Sequence, residues 1–445
     1  MINLVHSPSA SIKKTSLTIS GFWFFSLAVL TIPFDNLAFA PTTGWATVSP
    51  IIFFFFYLWS LSRKPIIHRS EYRYIVALAA LFAYSCFLFF LYPPQSMLVI
   101  KTIATLAMGL TFYFCLIRVT FTSTSSVNTK GVRLLARCLV FAYTASLAYG
   151  VIYIIAHKYS LSFIINLFQE LQARYYGARY SFSFTEPSFS SMHVFGVILP
   201  FFLIFKKYFS EHLNSKNFFI FLCLYTFCAI LLIDSIRLKI DFLAVLLLTI
   251  AGLAIEKKKY LILTAGVAVL LITYLNMNLI FATLIGIDPR LDKIILAAKG
   301  GDSLIYADAS LATRFFMAQS IFYGLIENPT GLLLGYGMSN SYYPFSLGYD
   351  KAYYFYDNAY NKEILWLREA AVANYYSLPL RLISEFGLII TIAFFMFLWK
   401  RSNASIFLVS TYLLLQFDSY AFYTLWILLY ANHCAAATLR VERAQ

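Results

Sequence analysis

Apolar residues run in stretches of roughly twenty, broken by short polar joints, from Leu17 to Leu439, and this pattern predicts membrane-spanning helices. The stretches fall near 17–34, 46–62, 75–92, 98–118, 134–156, 188–205, 218–234, 240–255, 260–281, 378–399, 404–417 and 420–438, the last two being short. Two connecting segments are long, 158–187 and 282–377. Inside the second, Leu311, Phe315, Ala318, Phe322, Leu325 and Ile326 recur at helical spacing. They predict a helix started by Asp308 or Ser310 and ended by Asn328-Pro329, lying along the membrane surface or packed on the spans. The expected fold is an all-α polytopic membrane protein of about twelve transmembrane helices, one membrane domain over 1–445 with a large, partly helical loop.

Composition agrees with that solvent: 60% of the 445 residues are hydrophobic and 12% are charged. The formal charge of +14 does not point to nucleic acid, because the basic residues sit at the ends of apolar stretches and not in one solvated domain. Membrane lipids are the expected partners. With the N-terminus inside, every alternate joint carries lysine and arginine: Arg63-Lys64 with Arg69, Lys130 with Arg133, Lys206-Lys207, Lys257-Lys258-Lys259, Lys400-Arg401, and Arg440 with Arg443. Both termini are then cytoplasmic and both long segments lie outside, where function is expected. Lys13-Lys14, the apolar run after them and Ala38-Phe39-Ala40 imitate a cleavable secretory signal. Retention of this first helix suits the charge pattern and the spans that follow. All six cysteines lie in apolar stretches without CxxC spacing, so neither a disulfide framework nor a bound metal is expected.

Three groups of residues break the apolar pattern where chemistry could sit. The first is Arg174-Tyr175-Tyr176-Gly177-Ala178-Arg179, followed by Ser183-Phe184-Thr185-Glu186-Pro187-Ser188 before a span. Pro187 and Glu186 also read as an ordinary helix start, a favourable charge beside the helix dipole. The second is the tight turn Asp234-Ser235-Ile236-Arg237-Leu238-Lys239-Ile240-Asp241, where Arg237 either pairs with a neighbouring aspartate or binds a ligand. The third comprises Arg314 with Arg381 and Glu385, the latter two at i and i+4 and able to neutralise one another. Arginine suits diphosphate recognition because its planar fork donates two parallel hydrogen bonds and stays charged.

His157 and His193 read as packing residues. No nucleotide-binding or serine-hydrolase motif stands where it would carry meaning. Many tyrosines, among them Tyr336, Tyr342, Tyr343, Tyr349, Tyr353, Tyr354, Tyr356, Tyr360, Tyr375 and Tyr376, crowd the end of the large loop with Asn358, Asn361 and Asn374. They fit an interfacial belt or a surface for stacking against sugar rings.

In order along the chain, four fragments resemble the O-antigen polymerase and ligase superfamily of membrane glycosyltransferases, over roughly residues 174–395. Arg179 through Glu186-Pro187-Ser188 resembles the family's approach to a mid-chain span, and Ser235-Ile236-Arg237 its short Ser-x-Arg turn. Arg314-Phe315-Phe316, Glu327-Asn328-Pro329 and Leu334-Gly335-Tyr336-Gly337 resemble its large loop; Asn374-Tyr375-Tyr376-Ser377 and Ser384-Glu385-Phe386-Gly387 resemble its end. The ligase branch has a histidine eleven residues before the last glycine, where this chain has Tyr376, so the resemblance favours polymerase over ligase. It implies a bacterial inner-membrane enzyme with a periplasmic active face. The enzyme would join undecaprenyl-diphosphate-linked oligosaccharide repeat units without cofactor or metal, in company with a chain-length regulator and a flippase. Arg179, Arg237, Arg314 and Arg381 would take the diphosphate and Glu186 would be the general base, with Arg314 also stabilising the transition state. A flippase or other transporter is the rival, expected to carry polar groups near the membrane midplane.

Overall fold

A computed structural model of the chain describes residues 19–35, 37, 47–63, 65, 67–94, 96–122, 126–172, 180–233, 235–259, 264, 286, 292–293, 295–296, 309–356, 362–369, 373 and 375–444. Among these the chain is all-α, and its β pairing is limited to isolated bridges. In chain order the helices are α1 (Ile19–Leu30), α2 (Ser49–Arg63), α3 (Arg69–Leu88), α4 (Ser96–Thr120), α5 (Thr129–Lys158) and α6 (Ser162–Leu171). Then come α7 (Phe189–His193), a π-helical turn (Val194–Ile198), α8 (Leu199–Tyr208), α9 (Ser215–Leu232) and α10 (Ile236–Glu256). The large loop holds α11 (Ala309–Glu327), α12 (Pro329–Leu334), α13 (Tyr342–Tyr356) and α14 (Lys362–Glu369), and the chain closes with α15 (Leu378–Arg401), α16 (Ala404–Leu414) and α17 (Tyr423–Ala444).

Among the described residues, seven helical runs are long and apolar enough to cross a membrane: Arg69–Leu88, Leu98–Thr120, Thr129–Lys158, Phe189–Tyr208, Ser215–Leu232, Ile236–Glu256 and Leu378–Arg401. The apolar helices Gly21–Leu30 and Ala404–Leu414 are shorter. Each predicted stretch before 256 and after 378 is occupied by a helix, and 260–281 lies outside the described residues apart from position 264. Many aliphatic side chains on these runs point outward, Ile220, Leu224, Phe227 and Leu231 of α9 among them, as a hydrocarbon solvent allows and water does not.

Interior positions gather into two cores. The larger unites α1, α2, α4, α5, α8, α9 and α17 through rings such as Phe25, Phe53, Phe112, Tyr143 and Tyr430. The smaller belongs to the loop, where α11 packs along α13 and buries Phe316, Met317, Ile321, Leu325, Tyr336, Phe345, Tyr349 and Tyr375. The expected loop helix is present as α11; of its predicted stripe Phe315, Phe322 and Ile326 are exposed, as a helix lying along the membrane surface would leave them, and the neighbouring face is the one buried against α13. The structure corrects one expectation. Tyr336, Tyr349 and Tyr375 act as neither belt nor sugar platform: they are buried in the loop's own core, against which Tyr92, Leu380 and Ile383 also pack.

Two helices are broken near the candidate residues. The π turn interrupts Phe189–Tyr208, and Gly196 within it approaches Thr424 so closely that its carbonyl accepts the threonine hydroxyl at 3.0 Å. In α15, Gly387 has φ +85°, and an added Cβ would stand 2.1 Å from the Leu333 carbonyl oxygen. The break frees the carbonyls of Ser384 and Glu385, which accept the N–H groups of Tyr336 at 2.7 Å and Gly337 at 3.0 Å. Loop and span are thereby joined backbone to backbone.

Candidate functional site

Three segments distant in sequence meet at the end of the bundle where α7 and α10 begin. The stretch 181–186 is held by Asp35, whose carboxylate accepts the Thr185 N–H at 2.7 Å, the Thr185 hydroxyl at 3.1 Å and the Gln172 amide at 2.9 Å. This anchor fixes the backbone that presents Glu186. The Ser188 hydroxyl donates to Glu186 Oε1 at 2.6 Å, and Arg314 Nη2 of α11 stands 4.0 Å from the same oxygen. Both charged side chains remain about one-third exposed, so their attraction is screened.

Arg237 lies in the first turn of α10, which Ser235 caps by accepting the Leu238 N–H. Its Nε faces Asp241 Oδ2 at 3.4 Å. Asp241 is itself buried and held by the Ser191 hydroxyl at 2.5 Å, the Tyr412 hydroxyl at 2.6 Å and the Gln416 amide at 3.1 Å. The guanidinium is therefore held from one side, while its Nη2 is buried with no hydrogen-bond partner among the described residues. An unpaired buried donor on a charged group is costly, about 1–3 kcal/mol or more. Arg314 and Glu186 are near enough to couple electrostatically with Arg237. Two guanidinium groups, Arg237 and Arg314, and two carboxylates, Asp241 and Glu186, thus share a small region in which an incoming anionic oxygen could accept from the idle nitrogen.

Arg381 occupies a neighbouring and closed network. Its Nε donates to Glu385 Oε1 at 2.9 Å, Nη1 to the Asp418 carbonyl at 3.0 Å and Nη2 to the Thr102 hydroxyl at 2.9 Å. Glu385 is fully buried and also accepts the Ser339 N–H and the Tyr420 hydroxyl. Every guanidinium nitrogen of Arg381 already has a protein acceptor. The two networks adjoin through Tyr375 and Tyr376, whose rings lie 5.8 Å from Arg381 and 5.7 Å from Arg314 respectively. Burial, reinforced by the Glu385 charge, holds the Tyr375 phenol above its ordinary range, and burial pushes Tyr336 up to about 12.

Of the predicted site residues, Glu186, Arg237 and Arg314 are brought together, Arg381 stands apart with Glu385, and Arg179 lies outside the described residues. His193 donates to or accepts from the Tyr143 hydroxyl at 2.9 Å and packs on Phe184, a structural placement. The hold of Tyr412 and Gln416 on Asp241, the partner of Arg237, has as its one trace in the sequence a glutamine closing an apolar stretch. Tyr376, which stands where the ligase branch has its histidine, has a φ of +51°, a strained conformation for a bulky side chain. Among the described residues no three His, Cys, Asp or Glu side chains gather as metal ligands. No protein family, curated protein or solved structure matches the chain.

Proposed function

We propose that the chain is a polyprenyl-diphosphate-dependent glycosyltransferase that polymerises lipid-linked repeat units of a bacterial surface polysaccharide of O-antigen type. In this reading about twelve spans cross the inner membrane, both termini are cytoplasmic, and the cluster of Glu186, Arg237 and Arg314 faces the periplasm. The observation that carries it is the buried Nη2 of Arg237, unpartnered among the described residues, beside a second guanidinium and a partly exposed carboxylate. A hydroxyl of one repeat unit attacks the anomeric carbon of the chain on the carrier, inverting it. A new glycosidic C–O bond forms, the C–O bond to diphosphate breaks with its electron pair on the leaving oxygen, and Glu186 takes the hydroxyl proton. Arg237 and Arg314 stabilise the charge growing on the diphosphate, and Arg179 joins them from its own segment. Arg381, whose nitrogens are occupied, serves instead to hold Tyr375, Tyr376 and the 333–339 turn in place.

The test is made in the native host. Arg237→Gln and Arg314→Gln should each leave single repeat units on the lipid carrier at the outer face, and long-chain ladders from correctly inserted variants would reject the assignment. The two helix breaks also favour a second reading, because interrupted spans occur in transporters of lipid-linked sugars and other substrates. That reading predicts repeat units trapped on the inner face, out of reach of an external glycan-binding probe.

A further inference from the structure

The ten-residue helix α6 has three chemically distinct sides. On one, Phe168 is buried between Tyr149 and Tyr153 of α5, ring centroids at 4.2 and 5.7 Å, which fastens the helix to the bundle. On the second, Ser162, Asn166, Gln169 and Glu170 are all exposed. On the third, Phe163, Leu167 and Leu171 follow at i, i+4 and i+8, and they too are exposed, Phe163 by 79%. A short amphipathic helix fully in water buries its apolar arc on the protein; here only part of that arc is so used.

We infer that α6 lies in the plane of the membrane, with Phe163, Leu167 and Leu171 immersed in the acyl boundary of the leaflet at the site end. Its position on the chain commits it to that depth. Helix α5 crosses the membrane and ends at Lys158, and α6 begins four residues later, so it starts where the hydrocarbon stops. Ile152 and Ile155 of α5 and Tyr159 and Leu161 at the junction are likewise exposed, so apolar side chains face outward on both sides of the turn that carries the exposed Lys158 and Ser160. Ser162, Asn166, Gln169 and Glu170 form a separate sector for water and headgroups. The helix also matters to the cluster. Gln172, the residue after α6, donates to the Asp35 carboxylate and to the Ser183 carbonyl at 2.7 Å, so the depth of α6 sets the depth of the segment leading to Glu186. The inference rests on the chain being a membrane protein and not on the transferase reading.

Full-length protein carrying p-benzoylphenylalanine in place of Phe163, Leu167 or Asn166 is reconstituted in phosphatidylcholine vesicles, irradiated, and weighed intact. The expected result is a mass increase of one phospholipid at positions 163 and 167 and none at 166. Absence of a lipid adduct at both 163 and 167 overturns the inference, as does a cross-linked dimer in its place, which would make a second copy the occupant. An equal adduct at 166 overturns it too, because the helix would then be wholly submerged.

Discussion

Arg237 separates a functional from a structural account more sharply than any other residue. A guanidinium kept for stability would have each nitrogen engaged, as those of Arg381 are; Arg237 keeps Nη2 without a partner among the described residues, in a buried place. Arg237→Gln removes the guanidinium and its ion pair with Asp241, while Asp241 retains Ser191, Tyr412 and Gln416 as donors. Polymer formation should therefore fall by about 100–1,000-fold, the usual loss for one preorganised donor, with the unfolding midpoint in detergent nearly unchanged. A collapse of the midpoint would show that the residue was structural. Tyr376 makes a complementary case. Its left-handed backbone costs about 1–3 kcal/mol, and the ring it places against Arg314 is the return visible in the fold. Tyr376→Gly should relieve the strain and leave thermal stability at least equal, while turnover with lipid-linked repeats drops about tenfold or more because Arg314 loses its rest. Sequence made Glu186, Arg237 and Arg314 visible because isolated charges beside apolar stretches are conspicuous. It could not show that Arg381 is saturated, since Thr102 and the Asp418 carbonyl come from segments with no sequence link to it.

Apolar runs gave away the helices themselves, because a span must satisfy its backbone internally and be apolar throughout. Breaks inside spans were not legible. Glycine is common in membrane helices, and nothing local distinguishes Gly387, at φ +85°, from a glycine in regular helix. The partner that makes the break tolerable, the 333–337 turn, lies some fifty residues earlier. Gly387→Ala would force a side chain into a positive-φ position and against the Leu333 carbonyl oxygen. The expected cost is about 1–3 kcal/mol from the backbone alone. It should appear as faster protease cleavage between α11 and α13 in the folded protein, and unchanged cleavage would mean that the turn is not held by α15. Helix α6 escaped notice for a different reason: ten residues with half their apolar arc turned away from the protein resemble an ordinary loop.

At the scale of the whole molecule, the proposed orientation follows from the charge asymmetry and not from the packing. Cysteine placed at Asp350, an exposed loop position, should react with a membrane-impermeant maleimide on intact cells stripped of their outer membrane. Cysteine at Lys257 should react only after permeabilisation, and the reverse pattern would turn the proposed active face to the cytoplasm. At the opposite end from Glu186, Arg118 clasps the buried Glu71 at 2.6 and 2.8 Å, and Glu256 holds Asn403 and the start of α16, so that end is tied by ion pairs and caps. The joining of loop to broken helix fixes an order in time. Ribosomes make residues 333–339 before α15 exists, yet Tyr336 and Gly337 find their carbonyl acceptors only on Ser384 and Glu385. During biogenesis the Tyr336 and Gly337 amides must wait for these acceptors until α15, which begins at Leu378, has been made, so the 333–337 turn takes its final place only with the closing part of the chain.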